Sequence, residues 1–232
     1  MASNETSIGP SPLAVEAIKK EVGNINLYPE GSSRVLREKI AHKLNLDKEM
    51  IIVGNGADNI IGLVGMAFIN QGDEVITGEI TFPPYETITK IMGGKIVSVK
   101  LKDHTYDLEK IARRINERAK IIFICNPNNP TGTIVEKEEV TDFIEKVLPE
   151  VIVVFDEAYY DYVEDKNYPN SLSYVLERKN VIILRTFSKI AGIAGVRIGY
   201  GIAKLELISH LRRVVNPFPT NRLAQVTALA SV

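Results

Sequence analysis

An α/β fold, with a mostly parallel sheet flanked by helices, is predicted for this 232-residue chain by three observations. Short apolar runs rich in Val, Ile and Phe recur along it. Helical periodicity fills most of the intervals between them, which is the alternation expected of a parallel sheet with crossover helices. Two of the runs, 121–125 and 151–155, are apolar throughout, as strands covered on both faces must be.

In chain order the β-type runs are 51–53, 74–77, 95–99, 120–125, 151–155, 181–184 and 197–202. Helical patterns lie at 33–46, 57–69, 108–115 and 137–147. Residues 1–30 read as an N-terminal arm and 31–232 as one α/β domain, without repeats or a flexible linker. Little precedes Ser3, and the stretch Ala228 to Val232 reads as helix with no stop signal, so the chain is expected to be part of a longer protein.

Composition narrows the function. With 45% hydrophobic and 25% charged residues the chain is ordinary globular material. Its 28 basic and 29 acidic residues leave a formal charge of -1, which points away from nucleic acid and membrane surfaces as partners. The basic pairs Arg113-Arg114 and Arg212-Arg213 read as solvated helix faces. Residues Met1 to Glu5 lack the basic region and apolar core of a signal peptide, and the apolar stretch Ile60 to Ile69 is too short for a bilayer. The single cysteine, Cys125, permits no intrachain disulfide, fits a cytoplasmic compartment and reads as a small buried residue. His42, His104 and His210 have no metal-ligand spacing, so no metal is expected.

In open α/β sheets ligands bind beyond the carboxyl ends of the strands. Four strand ends carry chemically useful groups here. Gly54-Asn55-Gly56-Ala57-Asp58 is a glycine turn leading into a helix, whose free amides and dipole can hold an anion; alone it would read as a plain strand-to-helix turn. It lacks the third glycine of a dinucleotide fingerprint and the Gly-Lys-Ser/Thr of a P-loop, which weakens a nucleotide-binding reading. Asn126-Pro127-Asn128-Asn129-Pro130-Thr131-Gly132 is a loop stiffened by two prolines. Asp156 ends a run of apolar residues, where a carboxylate is costly unless a partner neutralises it or it caps the next turn. Lys189 follows Thr186, Phe187 and Ser188, and by itself could be any exposed lysine.

Taken as an ordered set, Asn-Pro-x-Asn-Pro-Thr-Gly, Asp156-Glu157-Ala158-Tyr159, Ser188-Lys189 and Gly195-Val196-Arg197-Ile198-Gly199-Tyr200 resemble the fold-type I pyridoxal-phosphate aminotransferases over essentially the whole chain. Ala2-Ser3-Asn4-Glu5, Gly9-Pro10-Ser11-Pro12, Leu27-Tyr28-Pro29 and Arg185 to Lys189 look most like the histidinol-phosphate aminotransferase branch.

The resemblance implies the large domain of that fold, with its smaller C-terminal domain missing here, and pyridoxal 5'-phosphate as cofactor. It implies that Lys189 holds the cofactor covalently and moves the substrate proton, and that Asp156 pairs with the pyridine nitrogen. Asn126 and Tyr159 would bond the ring's phenolic oxygen, with Phe82 stacked on the ring. Ala57, Asp58, Thr186, Ser188 and Arg197 would hold the phosphate. Tyr28 would reach the phosphate of a second subunit, making a homodimer with shared sites. Histidinol phosphate and glutamate or 2-oxoglutarate are the implied substrates. An aromatic aminotransferase, a threonine-phosphate decarboxylase and a non-catalytic cofactor-binding sensor domain remain open beside this reading.

Overall fold

A computed structural model describes residues 3–177 and 179–232. Ala2, the first residue of one matched segment, lies outside them. Among the described residues the strands are β1 Ile51–Gly54, β2 Glu74–Gly78, β3 Lys95–Val99, β4 Ala119–Cys125, β5 Ile152–Asp156, β6 Val181–Thr186 and β7 Gly199–Ala203. The helices are α1 Pro12–Glu21, α2 Arg34–Leu44, α3 Ala57–Phe68, α4 Pro84–Ile91, α5 Leu108–Ala112, α6 Lys137–Lys146, α7 Ser171–Leu176, α8 Leu205–Val214 and α9 Arg222–Ser231.

The strands form one sheet in the order β1-β7-β6-β5-β4-β2-β3. β7 is antiparallel to both of its neighbours and the other pairings are parallel. β4 and β5 lie inside the sheet, and their paired residues are buried along the whole ladder, as their unbroken apolar runs predict. The main core joins the sheet to α3, α6 and α8 through residues such as Ile60, Phe143 and Ile208. A second cluster covers the other face of β1 with residues of α1, α2 and α9, among them Ala14, Ile40 and Ala224.

Three differences from the sequence reading follow from local chemistry. The N-terminal arm contains α1, started by Pro12 behind the Ser11 cap, and it packs on α9 with Ala14 fully buried. α4 is masked in the sequence by Pro83-Pro84, which open it. β7 begins at Gly199 because Arg197 adopts φ 59°, a left-handed conformation that no strand accommodates.

Candidate active site

Because β1, β4, β5 and β6 share one direction, their carboxyl ends meet along a single edge of the sheet. A cleft of about 820 Å³ opens there. Asp156 and Cys125, neighbours in register on β5 and β4, form its deep part and are each 2% exposed. Cys125 donates to the Pro127 carbonyl at 3.3 Å, and burial pushes its thiol pKa up to about 12, so it is an inert packing group.

Asp156 makes no ion pair among the described residues. Its Oδ2 accepts from the Tyr85 hydroxyl at 2.7 Å and its Oδ1 from the Ala158 N–H at 3.1 Å. Burial raises its pKa to about 6, against the opposing pull of these two donors. Of the two readings that its place in the sequence allows, the turn cap is seen in one oxygen, and the group also lines the cleft, where a functional carboxylate would stand.

One corner of the cleft gathers groups of the kind that can hold an anion. The first amides of α3, at Ala57 and Asp58, have no intrahelical acceptor. Arg197 faces them, donating to Ser188 Oγ and the Ala194 carbonyl at 3.1 Å each and pairing with Asp58 at 3.2 Å. Ser188 in turn donates its N–H to Thr186 Oγ1 at 3.1 Å. Gly56, at φ 82°, permits this arrangement twice over: its backbone is strained for any other residue, and a Cβ would run into the Arg197 guanidinium.

At the mouth, Lys189 and Tyr159 stand together, the lysine Nζ 5.3 Å from the centre of the tyrosine ring. The N-terminal segment lies across them. Lys189 donates to the Ser3 carbonyl at 2.8 Å and Asn4 donates to the Tyr159 hydroxyl at 2.9 Å. Gly192, at φ 68°, lets this segment approach, since a Cβ there would collide with the Gly9 backbone. Phe82, half-buried, lines another wall.

Two sequence-predicted residues do not line the cleft. Asn126 is consumed by the loop itself: its Oδ1 accepts from Val135 N–H at 3.0 Å, its Nδ2 donates to Val135 carbonyl at 3.3 Å, and its own carbonyl accepts from Tyr168. Asn129, three residues on, lines the cleft in its place. Both belong to the same motif, and composition could not rank them. Tyr28 is 79% exposed, stacked on Phe218 with centroids 4.6 Å apart, away from this chain's cleft. Asn129 and the Ser3–Asn4 pair line the cleft and Tyr85 bonds Asp156 behind it, and the sequence reading gave none of the four a role. Among the described residues no group of three or more His, Cys, Asp or Glu side chains could hold a metal ion.

The family model for aminotransferase class I and II matches residues 1–232. The chain belongs to this family. It is 48% identical, over its full length, to the histidinol-phosphate aminotransferases of Caldicellulosiruptor saccharolyticus and Moorella thermoacetica, and it spans 65% and 60% of their respective lengths. Among solved structures it is similar to the histidinol-phosphate aminotransferase of Sinorhizobium meliloti in complex with pyridoxal-5'-phosphate, with a TM-score of 0.94, 28% identity, and coverage of 99% of this chain and 62% of that one. The sheet and its flanking helices are thus those of the fold-type I aminotransferases, and the chain spans less than two thirds of that neighbour's length.

Proposed function

We propose that this chain is the cofactor-binding part of a pyridoxal-phosphate-dependent histidinol-phosphate aminotransferase, passing an amino group between histidinol phosphate and 2-oxoglutarate. The observation that carries the reading is the convergence on one cleft of Lys189, Asp156, Tyr159 and an anion corner closed by Arg197. The donor set fits the cofactor. Helix amides, two hydroxyls and a guanidinium suit a phosphate dianion. A buried carboxylate lacking a cation suits a protonated ring nitrogen. A lysine at the mouth suits an aldehyde.

When bound, pyridoxal phosphate supplies an electron sink for the pair released at the amine-bearing carbon. The chain's own residues do the rest. Arg197, Ser188, Thr186 and the α3 amides would anchor the phosphate. Asp156 would hold a proton on the ring nitrogen. Phe82 would pack on the ring, and Tyr159 and Asn129 would bond the phenolic oxygen. Lys189 Nζ would carry the cofactor covalently and, once displaced by substrate amine, shuttle the proton. Ser3 and Asn4, lying over Lys189 and Tyr159, would help exclude water.

Residues 1–30 are then the arm and 31–232 the large domain. The exposed Tyr28, outside its own chain's cleft, supports a homodimer in which it reaches the partner's phosphate. One buried thiol fits a cytoplasmic enzyme.

The test is the visible absorbance of the protein with pyridoxal phosphate, before and after histidinol phosphate. A protein-bound band that converts on adding histidinol phosphate, and returns with 2-oxoglutarate, is expected. A band indifferent to histidinol phosphate would overturn the substrate, and turnover without 2-oxoglutarate would favour a decarboxylase. Lys189→Ala is expected to lose the borohydride-fixed adduct; its persistence would sink the covalent role.

A further inference from the structure

The Tyr85 hydroxyl points not into the cleft but at Asp156. Tyr85 is 0% exposed, its ring stacked on Phe123 with centroids 4.5 Å apart and planes at 5°, and meeting Phe82 edge-on at 5.8 Å and 80°. Its place is secured further by the start of α4, where Thr89 Oγ1 donates to the Tyr85 carbonyl at 2.7 Å. The preceding turn is tied down by Thr81, which accepts from the Tyr106 hydroxyl at 2.6 Å and donates to Asn128 at 3.0 Å. The ring therefore has no freedom to swing the hydroxyl away. Burial and the neighbouring carboxylate hold the phenol's pKa well above its usual value, so it remains a donor throughout the neutral range. The start of α4 thus brings two groups to the site three residues apart: Phe82 on the cleft wall and Tyr85 behind the carboxylate.

We propose that Tyr85 is a positioning residue for the cofactor chemistry: its hydroxyl fixes the Asp156 carboxylate in the orientation that faces the ring nitrogen and weakens it as a base, so that the shared proton stays on nitrogen. This rests on the cofactor reading above. The physics is one of proton partition. A buried carboxylate with few donors is a strong base and pulls a shared proton onto oxygen. A charge-assisted bond from a fixed phenol spreads that charge and returns the proton to the ring, where the electron sink needs it. Ala158 N–H reaches only the other oxygen.

The test uses the protein loaded with pyridoxal phosphate labelled with ¹⁵N in the ring, comparing wild type with Tyr85→Phe and Asp156→Asn. Phe keeps both ring contacts and deletes only the oxygen. At neutral pH the wild-type resonance is expected at the protonated-ring position and Asp156→Asn at the neutral-ring position. Tyr85→Phe is expected between them, with the rate of the amine half-reaction down about tenfold, one pKa unit's worth. A resonance in Tyr85→Phe identical to wild type overturns the proposal, as does a variant that only melts earlier; either makes Tyr85 a core aromatic. Replacing Tyr85 by 4-aminophenylalanine, a weaker donor of nearly the same shape, covers the case in which Tyr85→Phe does not fold. It should move the resonance toward the neutral-ring position, and no movement overturns the proposal. If wild type takes up no labelled cofactor, the cofactor reading falls and takes this inference with it.

Discussion

Asp156 and Glu157 are adjacent carboxylates at the end of one strand, both 2% exposed, and the molecule treats them in opposite ways. Glu157 is neutralised inside the chain. Arg185 pairs with it at 2.8 Å and lies 3.9 Å over the Tyr160 ring. Burial raises the Glu157 pKa and the guanidinium pulls it back. Asp156 receives two neutral donors and no cation among the described residues. Alternation along the strand sends the two side chains to opposite faces of the sheet, one into the scaffold and one into the cleft. A buried charge paired with a cation of its own chain is structure, even with one oxygen, Glu157 Oε1, left without a hydrogen bond. A buried charge that no cation meets among the described residues marks a candidate site, and the fold bears its desolvation penalty.

Turnover puts this contrast to its hardest test. Asp156→Ala is expected to cut it by roughly three orders of magnitude or more, worth about 4 kcal/mol of barrier. On the proposed reading Arg197 would still hold the cofactor phosphate in this variant. Near-normal rates in a steady-state assay would make Asp156 a turn cap only. Glu157→Ala should fail in the other direction. It strands Arg185, whose side chain is only 12% exposed, and should cost about 3–5 kcal/mol of stability by urea denaturation. Whatever stays folded should react far faster than Asp156→Ala.

Next in size is a pH effect on the cofactor-free protein. Asp156 has its pKa raised from 3.8 to about 6, so the native state binds this proton more tightly than the unfolded chain does. Stability from this group is therefore lost as pH rises through that window, by on the order of 2–3 kcal/mol. Asp156→Asn should remove the slope and leave the cofactor-free protein more stable than wild type at neutral pH, read from melting curves at both ends of the window. An unchanged slope would mean that another group carries it. The smallest expected effect concerns the anion corner. Arg197→Lys keeps the charge but loses the fork, and should weaken pyridoxal phosphate binding by about tenfold in an equilibrium titration.

Much of the site is legible in the sequence because its residues sit at strand ends. Apolar runs such as 121–125 and 151–155 announce buried strands, and the polar residues directly after them must face the ligand edge of a parallel sheet. Lys189, Asp156 and Tyr159 stand out in that way, with the family resemblance assigning their roles. Asn126 shows the limit. In a loop with three asparagines, order along the chain does not say which amide closes the loop and which faces the cleft, and the bonds to Val135 decide it.

The α/β class, the placement of most strands along the chain and the chemical character of each strand end follow from the sequence alone, since periodicity and residue type are local properties. It takes the packed fold to make Tyr85 donate to a carboxylate 71 residues away, to turn Arg197 back on the α3 amides past a glycine, and to lay residues 3–4 over Lys189. Those contacts join segments remote in sequence, and no local pattern encodes a separation that is closed to about 3 Å, hydrogen-bond reach, when the sheet assembles.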